Sequence, residues 1–275
     1  MAIKMIGLDL DGTTLDDKGR FSDLTIEAFK KAREKGVHII ISTGRTLCSL
    51  PDEMFDMPFL EYAVTSNGAR IIKLDTKETI YANLIDEESV MTAYRILKEN
   101  NATIEIFYRG RAYMDADDYK LVLNGDPTRK MRSREYILKT RTPVEDIYGL
   151  LLEGASGMEN ISICYSTIDD KEKMEAKLKA IPNITVTSSF EYNNEIGGLT
   201  TSKADGLRYM MEMLGVTSDE LMCCGDSPND IAMLELAEIA VAVGNATEEV
   251  KRAADYITDP HYDDGVAKAI EKFVL

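Results

Sequence analysis

Asp9-Leu10-Asp11-Gly12-Thr13 sets two carboxylates two residues apart, directly after the apolar run Ile3-Lys4-Met5-Ile6-Gly7-Leu8. The run reads as a buried strand whose end opens into a site. Alternation along a strand sends Asp9 and Asp11 to one face and Leu10 to the other. Carboxylates that close repel unless a cation or a shared proton lies between them. Gly12 permits a sharp turn and a close approach of backbone to a ligand. Taken alone, in a chain with 48 acidic residues, the pair favours a polar strand end followed by a turn. The rest of the chain decides.

The same arrangement recurs twice. Val37-His38-Ile39-Ile40-Ile41-Ser42 ends in Thr43-Gly44-Arg45, and Leu221-Met222-Cys223-Cys224 ends in Gly225-Asp226-Ser227-Pro228-Asn229-Asp230. Lys203 lies in a helix-like segment over residues 202–214, before the last of these runs. Amphipathic segments separate the strands, notably residues 25–35, with Ile26, Phe29, Lys30 and Arg33 at helical spacing. Strand and helix in alternation give a parallel sheet with right-handed crossovers. In such sheets ligands sit beyond the carboxyl ends of the strands. Asp9, Thr43 and Asp226 hold that position on three different strands, a convergence that solvated strand ends do not explain.

Taken in order, Asp9-x-Asp11-Gly12-Thr13, Thr43-Gly44-Arg45, Lys203 and Gly225-Asp226-Ser227-x-Asn229-Asp230 resemble the four motifs of the haloacid dehalogenase superfamily. More narrowly, the chain resembles a Cof-type phosphatase, the sugar-phosphatase-like branch with a large α/β cap of the C2B type. Thr65-Ser66-Asn67-Gly68-Ala69, Val243-Gly244-Asn245-Ala246, Glu249-Val250-Lys251, Ala253-Ala254-Asp255 and Asp264-Gly265-Val266 add to the likeness. Where Lys-Gly is common in the family, this chain has Lys203-Ala204. The resemblance implies an α/β fold: a Rossmann-like parallel-sheet core over residues 1–83 and 194–275, with an inserted α+β cap domain over residues 84–193.

The implied activity is a Mg²⁺-dependent phosphatase acting on small phosphate monoesters, sugar phosphates first among them. Phosphoryl transfer needs an in-line nucleophile, neutralised phosphoryl oxygens and a proton for the leaving oxygen. By resemblance, Asp9 attacks phosphorus and carries an aspartyl-phosphate, which is readily hydrolysed. Asp11 protonates the leaving alkoxide and later deprotonates the attacking water, work that uses both its protonation states. Mg²⁺ prefers oxygen ligands. Its implied ligands are the side chains of Asp9 and Asp226 and the backbone carbonyl of Asp11, with Asp230 a ligand or an anchor just beyond them.

Thr43 and the amides of Leu10 and Gly44 are assigned to phosphoryl oxygens, and Asn229 to a further donor. Lys203 brings a compact positive charge to the nucleophile and the phosphate. For Arg45, a substrate contact and a surface salt bridge stand side by side. Two rivals keep the fold. A phosphomutase would return the phosphoryl group to substrate; a non-catalytic phosphometabolite-binding protein would have no use for Asp9 as nucleophile. Asn67-Gly68 reads as a turn that borders the site entrance, and Asn245 with Glu248 as a helix N-cap pair.

Residues 46–202 are far more than one crossover needs, so a second domain is inserted there. Its expected elements are a hairpin over residues 69–84 leading outward, helices at 87–99, 143–152 and 169–181, and strands at 102–108, 111–115, 161–165, 184–188 and 190–194. Arg129, Lys130, Arg132, Arg134, Lys139 and Arg141 crowd together, opposed by Glu135. An anion-attracting loop over the site is one reading; a solvated loop is favoured.

The formal charge of −16 argues against a nucleic-acid surface, which needs clustered Lys and Arg. It leaves a small phosphate ester open, because a bound cation can invert the local potential. No apolar run is long enough to cross a membrane. The chain enters its first strand without a signal peptide, and Cys48, Cys164, Cys223 and Cys224 show no framework spacing, as a cytoplasmic protein would. Cys223 and Cys224, adjacent on one strand, read as packing residues.

Overall fold

The structure, a computed structural model, describes residues 2–126 and 132–275. Arg129 and Lys130 of the basic run lie outside the described residues. In chain order the strands are β1 (Met5–Leu8), β2 (His38–Ser42), β3 (Tyr62–Thr65), β4 (Arg70–Lys73) and β5 (Glu78–Ala82). There follow β6 (Thr103–Tyr108), β7 (Arg111–Asp115), β8 (Arg141–Val144), β9 (Met158–Cys164), β10 (Ile184–Thr187) and β11 (Asn193–Gly198). The last are β12 (Leu221–Gly225), β13 (Ile239–Ala242) and β14 (Tyr256–Ile257).

They form two sheets, ordered β14-β13-β12-β1-β2-β3-β4-β5 and β10-β11-β9-β6-β7-β8. In the first, β1 pairs in parallel with β12 on one side and β2 on the other. The strand order therefore reverses at β1, the point where open α/β sheets bind ligands. Met5, Ile6, Leu8, Ile40, Ile41, Met222 and Cys224 are buried, as a parallel strand covered on both faces requires. Between β1 and β2 runs the helix Asp23–Glu34, started by Ser22, whose side chain accepts the Thr25 amide. Thr25, Ala28, Phe29 and Ala32 give this helix its buried stripe.

The chain divides into two compact units, Met1–Gly44, Pro51–Tyr81 and Ser202–Leu275 in one, Arg45–Leu50 and Ala82–Thr201 in the other. The return thus falls at Ser202 rather than at residue 194. The strand expected at 190–194 begins at Asn193 and runs on to Gly198, pairing with β9 and β10. Asn193 Oδ1 accepts the amides of Ser189 and Phe190 at 3.1 Å each, which bends the chain just before the strand.

The second unit buries one face of its sheet beneath helices. Ile104, Ile106, Ile161, Ile163 and Ile196 pack with Val90, Ala93 and Leu97 of the helix Glu87–Glu99 and Leu151 of Ile147–Glu153. Pro143, expected in a helix, lies instead in β8, an edge strand, where a residue without an N–H is tolerated. The helices Ala116–Leu123 and Arg134–Thr140 were not expected.

The basic run is not uniformly solvated. Arg141 is buried and its Nη2 lies 2.8 Å from Glu105 Oε2. Arg134 donates to the Leu123 carbonyl at the end of the helix Ala116–Leu123, and Arg132 donates to Ser189 Oγ at 2.9 Å. Lys139 is exposed. Among the described residues, no helix is long and apolar enough to cross a membrane.

Candidate active site

Strand β1 ends at Leu8, so Asp9 and Asp11 are not placed by strand alternation. The backbone curls at once. The Leu10 carbonyl accepts the amides of Thr13, Thr14 and Leu15 at 3.3, 2.9 and 3.0 Å, and Thr14 Oγ1 donates to the Asp9 carbonyl at 2.5 Å. Asp9 is buried and Asp11 half-buried on this turn. Gly12 holds φ +80°, and a Cβ there would stand 2.8 Å from Asp226 Oδ2. Thr13 Oγ1 donates to Asp226 Oδ1 at 2.8 Å. The loop after β1 and the loop after β12 are therefore fastened to each other through Asp226.

Lys203 opens the helix Lys203–Leu214, capped by Ser202, whose hydroxyl accepts the Asp205 amide at 3.0 Å. A lysine at a helix start opposes the macrodipole, yet this one is 1 % exposed. Two carboxylates hold it there. Lys203 Nζ donates to Asp9 Oδ1 at 2.5 Å and to Asp230 Oδ1 at 2.6 Å. Asp230 Oδ2 accepts the amides of Asp226 and Ser227, each at 2.9 Å. Ser227 and Asp230 form a reciprocal capping box around Pro228, which stands where its missing N–H costs nothing.

Burial pushes the Asp9 carboxyl well above the ordinary aspartate range, and Asp230 and Asp226 push the same way against the pull of Lys203. Asp226 is raised too, by burial and by Asp230. For Lys203, burial works against the charge, but Asp230 and Asp9 outweigh it and leave the ammonium more basic than an ordinary lysine. Carboxylate oxygens of Asp9, Asp226 and Asp230 lie within 4.8 Å of one another. Excess negative charge and hard oxygen donors fit a divalent cation such as Mg²⁺. Asp230 fits less well, because its oxygens are held by an ammonium and two backbone amides, whereas those of Asp226 meet only the hydroxyls of Thr13 and Ser227, which can turn away.

The loops after β2 and β3 are joined as well. The Asn67 amide donates to the Thr43 carbonyl at 3.0 Å, and Thr43 is 1 % exposed. Asn229 Nδ2 donates to Asn67 Oδ1 at 3.0 Å. A Cβ on Gly44 would stand 3.2 Å from that same oxygen.

A family model for haloacid dehalogenase-like hydrolases matches residues 6–270. The 5-amino-6-(5-phospho-D-ribitylamino)uracil phosphatase YcsE of Bacillus subtilis is 31 % identical over 99 % of this chain and 96 % of its own. The chain belongs to the haloacid dehalogenase-like hydrolases. A phosphoglycolate phosphatase of Methanobrevibacter smithii is 29 % identical over the whole of both chains. Among solved structures, the phosphatase BT1666 of Bacteroides thetaiotaomicron superposes with a TM-score of 0.81 at 26 % identity, covering 99 % of this chain and 95 % of its own. This hydrolase is a phosphatase, acting on phosphoric monoesters.

Within this hydrolase, Asp9, Asp226, Asp230 and Lys203 come together directly, and Asn229 joins Thr43 and Gly44 through Asn67. Arg45 groups with the second unit, where its Nη1 donates to the Ser49 carbonyl at 2.9 Å and its guanidinium lies 5.2 Å from the Tyr136 ring centroid. Asn245 is not a helix cap. Thr247 caps the helix Glu248–Ala253, while Asn245 Nδ2 donates to the Gly12 carbonyl at 2.8 Å. Thr13 was given no role of its own from sequence, and Asn67 was placed at the site entrance but not against Thr43 or Asn229.

Proposed function

We propose that this enzyme is a Mg²⁺-dependent phosphatase for small phosphate monoesters that works through an aspartyl-phosphate on Asp9. The observation that carries the reading is the Lys203 ammonium held between Asp9 and Asp230, with Asp226 within reach of the same carboxylates. The ammonium at 2.5 Å pulls the Asp9 carboxyl back toward its anion against burial and the neighbouring carboxylates, and an anion is what attacks phosphorus. The lysine is equally suited to balance negative charge on the phosphoryl group.

Asp9 and Asp226 would hold Mg²⁺, joined by the Asp11 backbone carbonyl. When bound, the ion supplies neutralising charge to the phosphoryl oxygens. Asp230, held by the Lys203 ammonium and two backbone amides, acts as the anchor of Lys203 and of the loop after β12. Thr43 and the amides of Leu10 and Gly44 receive the phosphoryl oxygens. Asn229 Nδ2 has a second hydrogen beyond the one given to Asn67, and donates it to the same group. An Asp9 oxygen bonds to phosphorus as the ester oxygen leaves and takes a proton from Asp11. Asp11 then takes a proton from the water that attacks phosphorus, which frees phosphate and restores Asp9.

The second unit, Arg45–Leu50 and Ala82–Thr201, serves as the cap that selects the leaving group. The relatives act on a phospho-ribityl compound and on phosphoglycolate, so small polar phosphometabolites, sugar phosphates among them, form the substrate class. The test is inorganic phosphate release by purified protein with Mg²⁺ across a phosphometabolite panel. Turnover that survives excess chelator would remove the metal, and product isomerisation without phosphate release would make the enzyme a mutase.

A further inference from the structure

Three consecutive residues after β3 have left-handed backbones: Ser66 at φ +50°, Asn67 at +56° and Gly68 at +103°. Two of them are not glycine, and all three are buried. Such conformations persist only where surrounding contacts over-determine them, and they gather at functional sites. Here the contacts lead to three of the site's parts. The Asn67 amide holds the Thr43 carbonyl at 3.0 Å. The Asn67 side chain lies against Gly44 and accepts from Asn229 Nδ2 at 3.0 Å. Gly68 faces the residue before Lys203 so closely that a Cβ would stand 2.1 Å from the Ser202 carbonyl oxygen. An ordinary turn into a hairpin needs none of this.

We infer that Asn67 is a positioning residue for phosphoryl binding, acting through Thr43-Gly44 on one side and Asn229 on the other. This rests on the phosphatase reading of the Asp9 site. The left-handed turn is what aims both ends of Asn67. Its amide faces the loop after β2, and its side chain fixes the rotamer of Asn229. The Asn229 Oδ1 is buried and has no hydrogen-bond partner among the described residues, so the bond to Asn67 is what the structure gives to orient this amide. Oriented so, Nδ2 keeps a second hydrogen for a phosphoryl oxygen. Without Asn67 the Asn229 amide can turn over and present an acceptor to an anion, which repels it.

The distinguishing variant is Asn67→Gly, because glycine keeps the left-handed backbone and its amide while removing the side chain. Asn67→Gly should fold with wild-type secondary structure and bind Mg²⁺ within about threefold of wild type. Its Ki for inorganic phosphate as a competitive inhibitor, and its KM for p-nitrophenyl phosphate, should each rise by about tenfold, of the order of one lost hydrogen bond. Asn229→Ala should cost a similar factor, and the double variant little more than either, because both act on one contact. Multiplicative losses in the double variant, or phosphate inhibition within twofold of wild type in Asn67→Gly, would overturn the inference. A wild-type protein that neither hydrolyses the ester nor binds phosphate would instead sink the phosphatase reading beneath it.

Discussion

Asp230 Oδ1 lies 2.6 Å from Lys203 Nζ, and its Oδ2 is spent on the amides of Asp226 and Ser227. Both residues are almost fully buried. Asp230 therefore acts on the chemistry through Lys203 and the loop that carries Asp226, not through an open oxygen.

Removing that charge should uncouple stability from metal affinity. Asp230→Asn leaves Lys203 paired with Asp9, so the loss in urea unfolding should be about 1.5–3 kcal/mol, that of a hydrogen bond to a charged group, while Asp226→Asn should weaken Mg²⁺ binding more than Asp230→Asn does. Isothermal titration of both variants decides this. A larger loss of affinity in Asp230→Asn would make Asp230 the ligand.

Asp9→Asn should abolish turnover and covalent phosphate capture together. Asp11→Asn should cost roughly 10²–10⁴ in rate. Part of that loss should vanish with an aryl phosphate, whose leaving oxide needs no proton. Equal losses for aryl and alkyl esters would remove the general acid role.

Sequence spacing made Asp9, Thr43 and Asp226 legible because each follows an apolar run, a local signal, while Lys203 was legible only through its place in the ordered set of motifs. The partners of Thr13 and Asn67 were not, since these two act across gaps of 213 and 162 residues, on Asp226 and on Asn229. Such gaps close only once the sheet order β12-β1-β2-β3 exists. Asn245 misled for the same reason: its spacing to Glu248 suggested a cap, while Gly12, 233 residues away, holds its side chain. In the second unit, the edge strand β8 has a proline and a parallel partner, β7, so tertiary pairing overrode what the local pattern favoured.

The raised carboxyls make metal binding depend on pH. Asp9 and Asp226 titrate above the ordinary aspartate value, about 3.9, because of burial and neighbouring carboxylates. A carboxyl raised on folding keeps its proton in the folded state. The metal-free protein therefore loses stability as pH rises from the ordinary value through the folded one. Lys203, raised by Asp230 and Asp9, keeps its contribution until pH passes the ordinary lysine value, and adds no slope in the acid range. Mg²⁺ competes with those protons. Added Mg²⁺ should thus raise Tm more at about pH 8 than at about pH 5. An equal rise at both would mean the carboxylates are already ionised.

Arg134 and Arg141 belong to one basic run, and their substitutions should differ sharply. Arg134 is exposed and donates to the Leu123 carbonyl, the kind of helix-end contact worth about 0.3–1 kcal/mol. Arg141 pairs with Glu105, both side chains only 4 % exposed, and its guanidinium lies 5.4 Å from the Phe107 centroid and 5.1 Å from that of Tyr136. Burial opposes its charge, but Glu105 outweighs burial and holds the guanidinium protonated. Arg141→Met leaves Glu105 charged and alone, at a cost of about 3–5 kcal/mol. Pairing it with Glu105→Leu removes both charges and should recover most of that loss. Urea unfolding of Arg134→Gln, Arg141→Met and the double variant provides the measurement. An Arg141→Met protein as stable as Arg134→Gln would return the whole run to the solvated surface that its composition first suggested.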